Sequence, residues 1–586
     1  MFRKWLLVVC LLSSTAFCQP IITGEWDGAI AGKLRIIVRV DRAADNTLHG
    51  SLESVDQGHV KLDFDVVSFD GAKSFQFELK QAGAIYKAEL NADGSQLTGA
   101  WQQGGARVPL TLRRSDAPPL KQLQPVVRGR VSLTPCGSGD SQGLCGTFDV
   151  FENRDTQRGR KIGLHILILP SLAEKPAADA VFGFAGGPGQ SAAEAFPMMT
   201  AMVALRQTHD LVFIDQRGTG QSNPLPCPSD DNDAQLFLNG SGGSAVKDLP
   251  GCRKELETKA DLTQYTTSYS ADDVDDVREA LGLDKIDLLG GSYGTLAALV
   301  YVRRHGQHVR SMVLEGVAPP DYKLPLPFAK TIQASLDHLF ANCAADPDCH
   351  RDFPNLKAEF ETVVKRLDTQ PATFQLDSGP NKGQTVTLSR GAFVSALRSL
   401  LYQPGIVSQL PYIFHRAFEN DLNPYAGAVA AMRRAVNQSV ARGMAFSVTC
   451  AEALPFISEA DIRRETAGTY LGDFDVRTYQ KNCAIWPHAS VSPDYLKPVH
   501  SDIPALLITG AEDAATPPSW AEHAAQSLSQ SRVVAIPHGT HLTSSECIDN
   551  MIVQFISQGS SSGMDTACVS QIRGVPFRKL PSGTSR

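Results

Sequence analysis

The chain has 586 residues, 42% of them hydrophobic and 20% charged, with 62 acidic side chains against 55 basic ones for a net charge of -7. That is enough apolar material for more than one core, and length alone suggests about three compact units. The mild acidity excludes the basic footprint of a nucleic-acid binder or of a protein held on anionic lipid.

At the N-terminus Arg3 and Lys4 precede the apolar run Trp5 to Leu12, then small residues and Cys18-Gln19. A charged start followed by a short apolar core reads as a secretory signal over residues 1–18, and it is too short to span a membrane. A lipid-anchored Cys18 is the competing reading, disfavoured by the bulky Phe17 where a small residue is wanted.

Residues 19–115 carry short alternating stretches such as Lys33 to Val40 and Ser74 to Leu79, separated by turns that include Asp70-Gly71 and Asp93-Gly94. The period of two predicts antiparallel strands, closed as a barrel or stacked as a sandwich. Thr23-Gly24-Glu25-Trp26 recurs as Thr98-Gly99-Ala100-Trp101, which predicts two buried tryptophans in related positions with their indole N–H groups satisfied. Nothing in this stretch has catalytic chemistry; its functional alternatives are a ligand pocket or a surface for attachment to the cell envelope.

From about Val126 the pattern changes. Strands are expected around Gly146 to Val150 and Lys161 to Leu169, and the apolar run Ala180 to Phe184 leads into the loop Ala185-Gly186-Gly187-Pro188-Gly189-Gln190-Ser191. Glycines let the main chain approach a substrate, while Pro188 has no N–H to offer. Further on, Asp215 and Arg217 in the turn Asp-Gln-Arg-Gly-Thr-Gly read as a structural ion pair bracing the loops.

The strand Ile286 to Leu289 then runs straight into Gly290-Gly291-Ser292-Tyr293-Gly294 and a helix. A G-x-S-x-G turn of this kind presents its serine at the carboxyl edge of a sheet. A serine hydroxyl becomes a useful nucleophile only with a base, a group that orients the base, and N–H donors for the oxyanion. The N–H groups of Gly187 and Tyr293 are the expected donors.

After the strand Arg310 to Glu315, residues 320–497 form an insertion in which Leu356 to Leu367 and Arg390 to Leu401 have helical spacing. The sheet resumes with Ile503 to Gly510, ending in Ala511-Glu512-Asp513, where Asp513 is the expected acid and Glu512 its near competitor. Arg532 to Ile536 leads to Pro537-His538-Gly539-Thr540-His541, where His541 is the expected base and His538 its competitor.

Of twelve cysteines, Cys10 and Cys18 fall within or at the edge of the signal. The others lie in close sequential pairs, predicting the disulfides Cys136–Cys145, Cys227–Cys252, Cys343–Cys349, Cys450–Cys483 and Cys547–Cys568. Such a set points to the periplasm or the medium.

The strings AGGPGQS, DLVFIDQRGTGQS, YTTSYSADDVDDVREALG, LLGGSYGT and LITGAEDAATPP, in that order between about Leu144 and Cys568, resemble the tripeptidyl-aminopeptidase-like branch of the prolyl-iminopeptidase family of serine hydrolases. The resemblance implies an α/β-hydrolase core over 126–319 and 498–586, a mainly helical lid over 320–497, and a Ser292–His541–Asp513 triad. One departure is Ala185, where the family commonly has His before the Gly-Gly-Pro-Gly loop. Relatives of this type present lid carboxylates to the substrate's amino end, and Glu452, two residues after Cys450, resembles that acidic position. The competing reading of Glu452 is a surface residue in a salt bridge.

The expectation is therefore an exported serine aminopeptidase acting on peptides, with a carboxylesterase on the same triad as the runner-up. A non-enzymatic binding protein on a hydrolase scaffold comes third. No metal or organic cofactor, no nucleic-acid partner and no membrane span in the mature chain are expected.

Overall fold

The computed structural model describes residues 22–580 apart from 33, 44, 58–59, 105, 116–122, 138–141, 228–245, 247 and 380, and apart from the side chains of 198 and 433–438. The expected signal, residues 1–18, lies outside the described residues. The chain divides into two compact units, one built from residues up to Gln103 and from Val108 to Leu120, the other from the remainder.

The first unit is one antiparallel sheet of nine strands: β1 (Gly24–Ile30), β2 (Leu34–Arg42), β3 (Leu48–Ser54), β4 (Val60–Asp63), β5 (Val66–Phe69), β6 (Ser74–Leu79), β7 (Ala84–Leu90), β8 (Gln96–Gln103) and β9 (Ala106–Arg114). Their order is β4-β3-β2-β1-β9-β8-β7-β6-β5, so the two edges are consecutive strands. Between them the N–H of Phe64 donates to Gly50 O and that of Asp65 to Glu78 O, both at 2.9 Å. The edges are thus joined by two residues of chain, Phe64 bonded to β3 and Asp65 bonded to β6. Trp26, Phe75, Phe77, Tyr86 and Trp101 fill the interior of this unit. The Trp26 indole N–H donates to Ile22 O at 3.1 Å and that of Trp101 to Gln103 Oε1 at 3.3 Å.

The second unit is built on a ten-stranded sheet. Its strands are β10 (Val126–Arg128), β11 (Val131–Cys136), β12 (Gly143–Phe151), β13 (Lys161–Leu169), β14 (Ala180–Phe184), β15 (Leu211–Ile214), β16 (Ile286–Gly291), β17 (Val309–Glu315), β20 (Ala505–Gly510) and β21 (Ser531–Ile536), with β18 (Ala372–Gln375) and β19 (Thr385–Leu388) forming a separate hairpin. The order is β10-β11-β12-β13-β15-β14-β16-β17-β20-β21, antiparallel as far as β15 and parallel from β15 onward. Parallel strands are covered on both faces, which is why β14 to β17 and β20 read as nearly unbroken apolar runs. Alternate residues enter opposite cores: Phe182, Leu288 and Leu507 one, Val181, Leu289 and Leu506 the other.

Between β17 and β20 the chain forms helices that include Phe328–Ala345, Leu356–Thr369, Arg390–Leu400, Arg442–Glu452 and Phe474–Cys483. Leu356, Phe360, Val363, Val364 and Leu367 make the buried stripe of the second of these, the helical spacing that its sequence carries. All five sequential cysteine pairs are bonded, with Cα–Cα distances from 5.1 to 5.8 Å.

The expected Asp215–Arg217 ion pair does not form. Arg217 is fully buried and reaches Asp273 with Nε and Nη2 at 2.6 and 2.8 Å, and its Nη1 donates to the carbonyls of Glu152 and Gln264. Asp215 instead accepts from the Ser191 hydroxyl at 2.6 Å and lies 3.1 Å from His165 Nδ1. Only two residues apart in a tight turn, each side chain finds a partner brought by another element.

Candidate active site

Where β16 ends, Ser292 takes φ 56° and ψ -124°, a conformation costly for any residue with a side chain. The glycines on either side make it attainable. A Cβ on Gly290 would lie 2.7 Å from Gly294 O, and one on Gly294 would lie 1.8 Å from Phe184 O. The Ser292 N–H donates to Glu315 O of β17 at 2.8 Å, tying the turn to the neighbouring strand. The helix Tyr293–His305 starts immediately after, so its positive end faces the serine.

Ser292 is half-buried and opens on a cavity of about 400 Å³, also lined by Gly187, Tyr293, Glu452 and His541. Gly187 has φ 109° and precedes a cis peptide to Pro188, and a Cβ there would meet Gly189 N at 2.7 Å. Neither the Gly187 N–H nor the Tyr293 N–H has an acceptor among the described residues. The loop is anchored to the insertion, where the Ala441 N–H donates to Gly189 O at 2.8 Å.

Asp513, in the loop after β20, is fully buried. Its Oδ1 accepts from the N–H groups of Ala515 and Thr516 at 2.7 and 3.0 Å, and its Oδ2 accepts from the Thr516 hydroxyl at 2.9 Å and lies 2.8 Å from His541 Nδ1. Burial works to raise its pKa, but the charge and hydrogen bond of His541 and the two backbone donors outweigh it and hold the carboxyl below its ordinary range. A carboxylate bonded to Nδ1 fixes the tautomer that leaves Nε2 as the acceptor. The Tyr402 ring packs against the imidazole with centroids 4.5 Å apart. Ser292 Oγ and His541 face the same cavity without a direct hydrogen bond, a contact that commonly tightens only with substrate bound.

The two competitors pair with each other. His538 is exposed, its Nδ1 lies 3.0 Å from Glu512 Oε1, and neither residue lines the cavity.

Glu452 is not the surface residue of the competing reading: it is 5% exposed and lines the cavity. Its Oε1 accepts from the Thr267 N–H at 2.6 Å, and its Oε2 accepts from the Thr267 hydroxyl at 2.6 Å and from Tyr495 OH at 2.7 Å. Burial pushes its carboxyl above the ordinary range against these hydrogen bonds. Because the Thr267 proton goes to Glu452, the Tyr293 hydroxyl, 2.7 Å from Thr267 Oγ1, donates to it. Thr267, Tyr402, Tyr495 and Thr516 were not singled out by the sequence reading, although Thr267 and Thr516 stand within strings that carried the resemblance.

Among the described residues, Asp179, His209 and Asp287 form the one group with the spacing of a metal site. Arg310 already supplies its positive charge, with Nη2 2.9 Å from Asp179 and 2.7 Å from Asp287. No helix of the described residues is long and apolar enough to cross a membrane.

A serine at a strained strand-to-helix turn on a parallel sheet, with a buried aspartate–histidine pair opening on the same cavity, defines a serine hydrolase. The chain belongs to the alpha/beta hydrolase fold family, whose family model matches residues 183–546. It is 26% identical over 491 residues to serine protease Hip1 of Mycobacterium tuberculosis, covering 76% of this chain and 92% of that protein. It is 25% identical over 414 residues to the tripeptidyl aminopeptidase of Streptomyces coelicolor, covering 65% of this chain and 75% of that one. With carboxylesterase B of Mycobacterium tuberculosis it shares 24% identity over 458 residues, 72% of this chain and 86% of that one.

Proposed function

We propose that the protein is an exported serine aminopeptidase that releases short N-terminal peptides or single residues, with residues 320–497 as the lid over its cavity. Glu452 carries this reading. Its three hydrogen-bond partners, one backbone amide and two hydroxyls, are all neutral, so its carboxylate brings negative charge to the cavity that holds Ser292. A substrate ammonium is the group that such a site favours. A cavity of about 400 Å³, near the small end of the ~300–1,000 Å³ typical of ligand sites, suits a short acyl part. Five disulfides favour an oxidising compartment.

In the mechanism, His541 Nε2 takes the Ser292 proton as Oγ adds to the scissile carbonyl. The N–H groups of Gly187 and Tyr293 receive the oxyanion, and Asp513 stabilises the imidazolium. Collapse breaks the C–N bond as His541 protonates the leaving nitrogen. Water, deprotonated by His541, then hydrolyses the acyl-enzyme and restores the serine. The likeness to carboxylesterase B keeps an esterase on the same triad as the second reading.

The test is a matched pair of substrates, a free-amino tripeptidyl or prolyl arylamide and its N-acetylated twin, with Ser292→Ala as blank. Cleavage of the free-amino member alone supports the aminopeptidase. Equal cleavage of both, or hydrolysis of simple aryl esters alone, moves the assignment to the esterase or to an endo-acting hydrolase.

A further inference from the structure

The cavity has a second charged wall. Arg398, in the helix Arg390–Leu400 of the insertion, is only 8% exposed and lines the same space as Ser292 and Glu452. Its guanidinium packs against two aromatic residues. It lies 4.2 Å from the ring centroid of Phe328 and 5.5 Å from that of Tyr402, and its Nη1 donates to Tyr402 OH. The negative charge of Asp475, which accepts from the Ser395 hydroxyl at 2.7 Å and does not line the cavity, acts on it electrostatically.

The contacts also give the two charges different addresses. Arg398 touches Tyr402, and the Tyr402 ring packs on His541. His541 is the group that hands a proton to the departing nitrogen, so the cation stands beside the departing half of the substrate. Glu452 is linked through Thr267 to Tyr293, whose N–H serves the acyl half. A buried arginine is an expensive way to fill space, whereas its rigid fork matches a carboxylate.

We propose that Arg398 receives a carboxylate carried by the departing half of the substrate, so that the preferred substrates are short peptides bearing an ammonium at one end and a carboxylate at the other. This rests on the aminopeptidase reading for the ammonium, but not for the carboxylate. Two sources share that chemistry, the free C-terminus of a departing residue and an acidic side chain on it.

The experiment gives the purified full chain three peptides with one common acyl part. Their departing residues are alanine with a free carboxyl, alanine amide and glutamic acid amide, and kcat/KM is measured for each. At least a tenfold preference for either carboxylate-bearing substrate over alanine amide is expected, and the better of the two identifies the source. In Arg398→Gln that preference should shrink toward one, and in Arg398→Lys it should be intermediate. Equal kcat/KM for all three in the wild type overturns the proposal, as does a preference that survives Arg398→Gln. The wild-type series can overturn the proposal even if the variants do not fold. If N-acetylated twins are cleaved equally well while the carboxylate preference persists, the aminopeptidase reading falls and the role of Arg398 stands. If no peptide is cleaved, the same comparison is made with aryl esters whose phenol carries a carboxylate or a carboxamide, with the same two outcomes.

Discussion

Both carboxylate oxygens of Glu452 are held by one residue, Thr267, whose N–H and hydroxyl each lie 2.6 Å from them. Thr267 opens the helix Thr267–Ala280 of the sheet unit and Glu452 closes the helix Arg442–Glu452 of the insertion. Thr267→Val keeps the N–H and the shape but removes the hydroxyl, leaving Glu452 and the Tyr293 hydroxyl each one partner short. A buried hydrogen bond of this kind contributes about 1–2 kcal/mol. On the aminopeptidase reading, KM for free-amino substrates should rise by roughly five- to thirtyfold while kcat and turnover of uncharged esters change little. An unchanged ratio of free-amino to ester turnover would remove Thr267 from ammonium recognition.

Asp513→Asn keeps the size of the side chain but reverses the hydrogen-bond logic at His541 Nδ1. The imidazole is then stabilised in the wrong tautomer, and kcat should fall by about 10³–10⁴ with KM nearly unchanged. Steady-state kinetics with burst analysis checks this. A loss under tenfold would point to another acid, and Glu512, which faces His538, is the residue to mutate next.

The elbow glycines should differ sharply in tolerance. A Cβ at Gly294 would lie 1.8 Å from the Phe184 carbonyl, whereas one at Gly291 would meet nothing closer than the Leu542 side chain at 3.7 Å. Gly294→Ala is expected to cost at least about 2 kcal/mol, and Gly291→Ala less than about 0.5 kcal/mol. Denaturant melts of the two proteins compare them directly, and similar midpoints would contradict the packing argument.

Asp287 gives the protein a pH-dependent weakness away from the cavity. Burial and a hydrogen bond shared with Asp179 push its carboxyl from 3.8 up to about 7, against Arg310 and Ser311. Its folded pKa is raised, so its contribution is full at low pH and is lost as pH climbs from about 4 to about 7, worth a few kcal/mol at most. Asp179 is held below its ordinary value and acts in the opposite sense, below 3.8. His209, lowered chiefly by burial, loses stability as pH falls below 6.5. Asp287→Asn should therefore flatten the fall in Tm between pH 5 and 8 relative to wild type, and identical slopes would show that Asp287 carries no linkage.

What could be read from the sequence follows from how local each cause is. Gly290, Ser292 and Gly294 are dictated by the sterics of one turn, and each cysteine pair closes a short loop, so both were legible. Arg217 was misassigned because its partner, Asp273, lies on a helix 56 residues away that only packing brings near. Alternation predicts the strands of residues 19–115 but not their order, in which the first pairs with the last, β1 with β9. Arg398 and Tyr495 have no local signature, since each reaches the cavity only through the fold of the insertion.

The bond between Thr267 and Glu452 also bears on how this enzyme could be redesigned. Glu452 belongs to the insertion, but Thr267, which holds both of its oxygens, lies outside it and also contacts the Tyr293 hydroxyl beside Ser292. Grafting another protein's insertion between β17 and β20 would therefore transplant a new acid without the hydroxyl that aligns it. On the aminopeptidase reading, a chimera that inherits selectivity has to carry position 267 along with the graft.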